Sequence, residues 1–405
     1  MRRSLAILFG ITLAACSEQS PTAPAASRPL DVAPSRNADL SSTSSVWAQQ
    51  ITGESGPGAL YAFFVPTNWN GDVVYYAHGI VPAALPIALP TGDGFPALRD
   101  ALGARGYAVA YSSFSENGWA VKDGSQSTYR LREQFAHDVG KPRRSFLVGT
   151  SMGGLVVQDI AEQHGSQYDG TLAMCAPLGG AKVEVDYIAN VRVLFDLFYP
   201  GVIPGDVIRV PVVTDLNAQV LGPVQAAVIA NPTGLGIIAR MKQTPLAGDN
   251  GIELLTSLAY AIAYDVTGID DFLGRTHGHN MFDNSQTNYV AIYPTLLPQP
   301  LLDYVNANVG RFTATPDALK YLDRYYAPSG TLQNPTITLH TTKDPLVPNF
   351  HEGLFASTVS ASGSSANLLQ RNVTAFGHCK FTTAQMTDAF DALASWVATG
   401  TKPAS

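Results

Sequence analysis

The stretch Ser145-Phe-Leu-Val-Gly-Thr-Ser-Met-Gly-Gly154 joins a short apolar run to a segment with helical spacing. The run predicts a buried strand, and the apolar residues after Gly154 recur at helical intervals. Between the two, Gly149-Thr-Ser-Met-Gly153 matches the G-x-S-x-G pattern, in which a sharp turn from strand to helix exposes a serine hydroxyl group. With 36 Gly in the chain, this pattern arises by chance in about one such chain in five. Other parts of the sequence must therefore support it.

Composition and charge restrict the classes of function. Hydrophobic residues make up 46% of the chain and charged residues 14%, which is typical of a globular protein. The formal net charge is -7 and no stripe of Lys and Arg is present, so a nucleic-acid surface is not expected. A chain of 405 residues is long enough for one large core or for two smaller ones.

The N-terminus has the pattern of an export signal. Arg2 and Arg3 precede an apolar run at positions 5–15. This run is too short to span a membrane, but it suits the apolar core of a signal peptide. We therefore predict a signal peptide over residues 1–15.

The end of this run resembles the lipobox of bacterial lipoproteins, in which a cysteine is lipidated and becomes the new N-terminus. The resemblance is carried by Leu13-Ala-Ala-Cys16, and Ser17 after the cysteine favours the outer membrane. Residues 16–45 are rich in Ser, Thr, Pro and Ala, which predicts a flexible tether. The resemblance implies a lipid anchor in the bacterial cell envelope. An ordinary signal peptide, which would leave a secreted protein, is the alternative.

Strand and helix patterns alternate from residue 46 to residue 180. The runs at 59–65 and 72–77 flank an Asn-Gly turn signal and predict a hairpin that leads into a sheet. Strands and helices then follow one another up to a sixth strand at 170–175. This alternation predicts crossover connections and an α/β fold, with a mostly parallel sheet and helices on both faces.

The alternation stops at residues 181–334, where the apolar spacing is helical. We predict that these residues form a helical insertion after the sixth strand and cap the sheet domain. A helix that begins near Ile252 is expected to be buried and too short to span a membrane. The sheet pattern resumes over 335–400, so the sheet domain is expected to comprise 46–180 and 335–400. Helices are predicted in the insertion at 183–198, 218–230, 251–265 and 316–325.

Two polar residues in the second part of the sheet domain supply the chemistry that the serine requires. A serine nucleophile needs a base that takes its proton and an acid that orients the base. Asp344 lies in the loop after the penultimate predicted strand, and His378 lies in the loop after the last one. Because parallel strands end at one edge of a sheet, these residues can converge on Ser151. His340 is the other candidate base, but it precedes the acid in the chain.

The order Ser, Asp, His and the elements that carry it resemble the α/β-hydrolases. The resemblance covers residues 46–180 and 335–400. It implies that Ser151 is the nucleophile, His378 the general base and Asp344 the carboxylate that orients the base.

The same resemblance implies an oxyanion hole. One donor is expected to be the backbone N–H of Met152, directly after the nucleophile. The other is expected from the loop after the strand at 72–77, where His78-Gly79-Ile80 is similar to the His-Gly of many family members. We predict the N–H of Gly79 or of Ile80 for this second donor.

Two cysteines remain if Cys16 carries lipid. Cys379 follows the histidine, and Cys175 ends the sixth strand at the same sheet edge. We predict a disulfide between them, which suits an oxidising compartment, with two unpaired buried cysteines as the alternative. The chain resembles tannases and feruloyl esterases more weakly. In that family a cystine joins the residue before the serine to the residue after the histidine, but Thr150 stands before the serine here.

Together these features predict a serine hydrolase that cleaves carboxylic esters through an acyl-enzyme. No cofactor and no metal ion is expected. The expected partners are a small or oligomeric ester and, through the lipid, a membrane. A serine peptidase of the same fold is one alternative, although Met152 after the serine resembles lipases and esterases. A surface lipoprotein that has lost catalysis and only binds is another.

Overall fold

The computed structural model describes residues 46–404 apart from Pro57, Asp93 and Pro211. The predicted signal peptide, Cys16 and the predicted tether lie outside the described residues.

One sheet of eight strands runs through the described part of the chain. Its spatial order is β1-β2-β4-β3-β5-β6-β7-β8. In this order, all neighbours from β4 to β8 are parallel. At the other edge, β2 pairs antiparallel with β4, and β1 pairs antiparallel with β2. The strands are β1 (Trp47–Glu54), β2 (Leu60–Pro66), β3 (Asp72–Ala77), β4 (Ala108–Ser112), β5 (Arg144–Thr150), β6 (Gly170–Met174), β7 (Thr336–Lys343) and β8 (Leu368–Phe376).

Helices cover both faces of this sheet. Along β3, Val73 and Tyr75 belong to the core on one face of the sheet, whereas Val74 and Tyr76 belong to the core on the other face. This alternation is what a strand buried on both faces requires. The helices are α1 (Phe95–Ala104), α2 (Val121–Asp138), α3 (Met152–His164), α4 (Ala181–Phe198), α5 (Gly222–Ala230), α6 (Pro232–Ile238), α7 (Gly251–Arg275), α8 (Gln299–Asn308), α9 (Pro316–Tyr326), α10 (Phe350–Ala361) and α11 (Thr383–Thr399).

The predicted hairpin between the runs at 59–65 and 72–77 is wrong. β2 pairs with β1 and β4, and β3 lies between β4 and β5. The sequence missed β1, because this edge strand is mostly exposed and carries Gln49, Gln50 and Glu54 instead of an apolar pattern. With β1 unrecognised, the next strand in the sequence was the only available partner for β2.

In the described part of the predicted helical insertion, six α-helices, α4 to α9, lie between β6 and β7. The helices α6 and α8 were not predicted. The helix α7 has 25 residues and extends to Arg275, beyond the predicted end at 265. It is therefore long and apolar enough to cross a membrane, and the prediction that it is too short is wrong. Half of its most apolar 18-residue stretch is nevertheless buried in the protein, as in a core helix.

An ionic cluster holds the end of α7 against the loop after β4. The side chain of Arg275 is 8% exposed and contacts the carboxylates of Asp271, Asp123 and Glu116. Asp271 also accepts the backbone N–H of Trp119 at 2.6 Å. The helical insertion is thus attached to the sheet domain near the C-terminal ends of the strands.

Candidate active site

The turn between β5 and α3 holds Ser151 in an unusual backbone conformation. Its φ is 55° and its ψ is -129°, which non-glycine residues rarely adopt. Its N–H donates to the carbonyl of Met174 in the adjacent strand at 2.8 Å. The strand-to-helix turn predicted from the sequence is therefore present.

Three glycines allow this turn because their neighbours leave no space for a side chain. A Cβ atom on Gly149 would lie 2.1 Å from the carbonyl oxygen of Gly153. A Cβ atom on Gly153 would lie 2.1 Å from the carbonyl oxygen of Ala77, at the end of β3. A Cβ atom on Gly154 would lie 2.5 Å from the Cβ of Ala176. The glycines thus bring the start of α3 against the ends of β3 and β6.

The three residues predicted to form a triad lie in one hydrogen-bonded chain. The Oγ of Ser151 is 2.9 Å from Nε2 of His378, and Nδ1 of His378 is 2.8 Å from Oδ2 of Asp344. The other oxygen of Asp344 accepts the N–H groups of Leu346 and Val347, both at 2.9 Å. A carboxylate only accepts, so Nδ1 of the histidine carries the proton and Nε2 is available to accept the serine proton.

The end of β7, directly before the acid, is tied to the loop that carries the base. The N–H of Gly377 donates to the carbonyl of Lys343 at 3.0 Å, and the hydroxyl of Thr341 donates to the carbonyl of Gly377 at 2.7 Å. The ammonium group of Lys343 also contacts the carboxylate of Asp249 in the helical insertion. These contacts fix the positions from which Asp344 and His378 approach the serine.

The sulfur atoms of Cys175 and Cys379 are bonded in the structure, and their Cα atoms are 5.2 Å apart. Both residues have positive φ angles, 45° and 50°. The two sulfur atoms and one ring nitrogen of His378 lie within 4.8 Å of one another. Because the bond leaves neither sulfur as a free thiolate, this group does not suit a metal ion.

The predicted oxyanion donors lie on two segments next to the serine. Met152 is the first residue of α3, where backbone N–H groups have no acceptor within the helix. Gly79 and Ile80 follow the end of β3, against which Gly153 packs. The ring of His78 stacks on Phe114 at 3.9 Å, and its Nδ1 lies 2.6 Å from the carbonyl of Gly79. His78 therefore holds this loop in place.

A second pair of an acid and a histidine lies near the triad. The Nε2 of His351 is 2.8 Å from Oε2 of Glu184, and the Nδ1 of His351 accepts the N–H of Gly179 at 3.0 Å. Nε2 is therefore the protonated nitrogen and donates to Glu184. The sequence gave no signal for this pair, because its members are far apart in the chain and belong to helices with no local motif.

Burial keeps this pair uncharged. It lowers the pKa of His351 to about 3. It also raises the pKa of Glu184 well above its ordinary value, and the charge of Asp344 adds to this effect. Among the described residues, Oε1 of Glu184 has no hydrogen-bond partner, which also favours the neutral acid.

Comparisons with known proteins relate the whole architecture to other structures. No family model matches the chain, and no curated protein matches it by sequence. Feruloyl esterase B from Aspergillus oryzae is similar in structure, with a TM-score of 0.51 and 12% identity over 87% of this chain and 80% of that one. The protein has the α/β-hydrolase fold.

The fold prediction, a mostly parallel sheet with helices on both faces, is thereby confirmed. Two further α/β-hydrolase structures are less similar. An esterase from Pyrococcus furiosus has a TM-score of 0.45 and 11% identity over 89% of this chain and 93% of that one. An acylaminoacyl peptidase from Pyrococcus horikoshii has a TM-score of 0.44 and 9% identity, with coverage of 89% of this chain and 42% of that one.

The neutral state of Glu184 predicts a pH-dependent effect of Glu184→Gln. A raised carboxyl pKa gives stability that is present at low pH and is lost as pH rises above the unfolded value of 4.5. The glutamine cannot ionise and still offers an oxygen to His351. Between pH 5.5 and 8.5, the free energy of unfolding of the variant should therefore rise relative to the parent, by at most about 4 kcal/mol for one proton over three pH units.

Urea denaturation of both proteins at the two pH values measures this difference. The same substitution at the exposed Glu133 of α2 is the control for effects of the substitution itself. A difference between Glu184→Gln and its parent that is the same at both pH values would show that Glu184 is not held neutral.

Proposed function

We propose that this protein is a serine hydrolase that cleaves carboxylic esters through an acyl-enzyme. The observation that carries the proposal is the hydrogen-bonded chain from Ser151 through His378 to Asp344. It combines a nucleophile, a base within hydrogen-bond reach and an acid that fixes the tautomer of the base.

Acylation would begin when Oγ of Ser151 attacks the ester carbonyl carbon and its proton passes to Nε2 of His378. The carboxylate of Asp344 stabilises the imidazolium that forms. The N–H of Met152, with that of Gly79 or Ile80, would stabilise the negative oxygen of the tetrahedral intermediate. Each such donor usually lowers the barrier by about 3 kcal/mol. The intermediate then collapses, the C–O bond to the alcohol breaks and the imidazolium protonates the alcohol.

Deacylation repeats these steps with water as the nucleophile. His378 takes a proton from water while the water oxygen adds to the acyl carbonyl carbon. The bond between this carbon and Oγ of Ser151 then breaks, and the imidazolium returns a proton to Oγ. The carboxylic acid leaves, and the site regains its starting state.

The nucleophile can be tested with a fluorophosphonate probe, which labels activated serines. We expect the parent to be labelled and Ser151→Ala to be unlabelled, with a kcat on nitrophenyl esters that is lower by about 10⁴–10⁶-fold. Ser145→Ala, the same substitution at the other end of β5, is the matched control and should keep both properties. An unlabelled parent that does not turn over esters would instead favour a protein that only binds.

An esterase and a peptidase of this fold differ in the bond that they cleave, and this difference can be measured. The parent is compared on a nitrophenyl ester and on the peptide anilide of the same acyl group. We expect a higher kcat/KM for the ester, and faster cleavage of the anilide would contradict the proposal. The helical insertion is proposed to shape the substrate site, because its Asp249 contacts Lys343, the residue directly before the acid.

We also propose that the protein is exported and anchored by lipid at Cys16. The lipobox resemblance is the support, and a bond between Cys175 and Cys379 suits an oxidising compartment. When the full chain is expressed in a bacterium with an alkyne fatty acid, we expect the label in the membrane fraction and its loss in Cys16→Ala. An unlabelled protein in the soluble extracytoplasmic fraction would favour an ordinary signal peptide.

A further inference from the structure

A second histidine and a second acid lie behind the carboxylate of Asp344. The Nε2 of His340, on β7, is 3.6 Å from Oδ2 of Asp344. The Nδ1 of the same ring is 3.2 Å from Oε1 of Glu352, on α10. The side chains of His340 and Asp344 are fully buried, and that of Glu352 is 7% exposed. The row of ionisable groups that begins at His378 therefore continues for two further residues into the protein interior, with an ion-pair contact and not a hydrogen bond between Asp344 and His340.

Both ring nitrogens of His340 face acceptors. The Nε2 lies 2.8 Å from the carbonyl oxygen of Val347, which can only accept, so this nitrogen carries a proton. The Nδ1 faces the carboxyl group of Glu352. The protonation of that group decides whether the ring is neutral or charged.

Hydrogen-bond donors surround the carboxyl group of Glu352. Its Oε2 accepts the hydroxyl of Thr338 and the amide of Gln370, the latter at 2.6 Å, and Oε1 remains for His340. These two donors suit a carboxylate, which only accepts. The Nδ1 of His340 then donates as well, and the ring is an imidazolium.

The electrostatic balance at the ring agrees with this assignment. Burial lowers the pKa of His340, but the hydrogen bond to Glu352 and the negative charges of Asp344 and Glu352 outweigh burial and raise it. Two other groups that face the ring, Glu184 and His351, form the uncharged pair described above. The remaining one, His378, lies on the far side of Asp344.

We propose that His340 is a positioning residue of the triad, which compensates the buried charge of Asp344 as an imidazolium held by Glu352. It also fixes the acid loop, because it bonds the carbonyl of Val347, and the N–H of this same residue holds Oδ1 of Asp344. This inference rests on the proposed function of the triad. His340 is no rival base, because its two nitrogens are committed to Val347 and Glu352.

The substitution His340→Gln separates the charge from the loop contact. A glutamine amide can still donate to Val347 but carries no charge. We expect kcat on a nitrophenyl ester to fall by about 10–100-fold with less than about a threefold change in KM, because the carboxylate of Asp344 loses its compensating charge while the loop contact and the substrate site are kept. We also expect the acidic limb of the kcat/KM profile to move to higher pH by about one unit, because the coupled triad binds a proton more readily without the nearby positive charge. Glu352→Gln should change both readouts in the same direction.

The matched control is Asp265→Asn in the helical insertion. It removes the carboxylate that pairs with Arg192, and both side chains are almost fully buried. It should reduce stability without moving the acidic limb, since the polar partners of Arg192 among the described residues are Asp196, Asp265 and Pro204, none of which belongs to the triad. If the acidic limb moves as far in this control as in His340→Gln, the shift is a general effect of destabilisation and the inference is overturned.

A readout that is independent of activity uses Ser151→Ala with ¹⁵N-labelled histidine. The His340 ring should give two N–H signals at pH 7, which are identified by their absence when His340→Gln is added. Adding Glu352→Gln instead should remove the Nδ1–H signal. A single protonated nitrogen in the starting protein would overturn the inference.

The outcomes also separate this inference from the proposed function. If the parent turns over esters and is labelled at Ser151, while His340→Gln has the parent kcat and acidic limb, then the inference alone fails. If the parent is neither labelled nor active, the proposed function fails and the role of His340 in it fails as well.

Discussion

The position of the whole site depends on the contact between Gly153 and the end of β3. A Cβ atom on this glycine would lie 2.1 Å from the carbonyl oxygen of Ala77, so no other residue fits without displacing the backbone. The contact places the first turn of α3 beside the loop that contains Gly79. The serine turn and both predicted oxyanion donors therefore share one location, and the loops after β7 and β8 only have to reach it.

The site beside that turn contains several buried ionisable groups, which are stabilised in two different ways. Glu184 and His351 are held as a neutral pair, which requires only a hydrogen bond between them. Asp344 must stay charged to orient the base, so it needs several donors and a nearby positive charge at its fully buried position. The contacts of His340 with Val347 and Glu352 meet that need.

The sequence predicted the parts of the fold and the site that depend on local pattern or on chain order. Ser151, Asp344 and His378 were found because each follows a parallel strand, and such strands end at one edge of the sheet. β1 was missed because an exposed edge strand needs no apolar alternation. The pair of Glu184 with His351 could not be found, since its members meet only through packing of α4 against α10. His340 was considered only as a base, since the sequence gives no sign that it adjoins the acid.

The most direct test of the central claim identifies the residue that becomes acylated. The parent protein is mixed with an activated ester, quenched in acid within about one turnover and digested, and the modified peptide is sequenced by tandem mass spectrometry. The account predicts a single acyl group on the oxygen of Ser151. Turnover that proceeds with the acyl group on another residue would contradict the account.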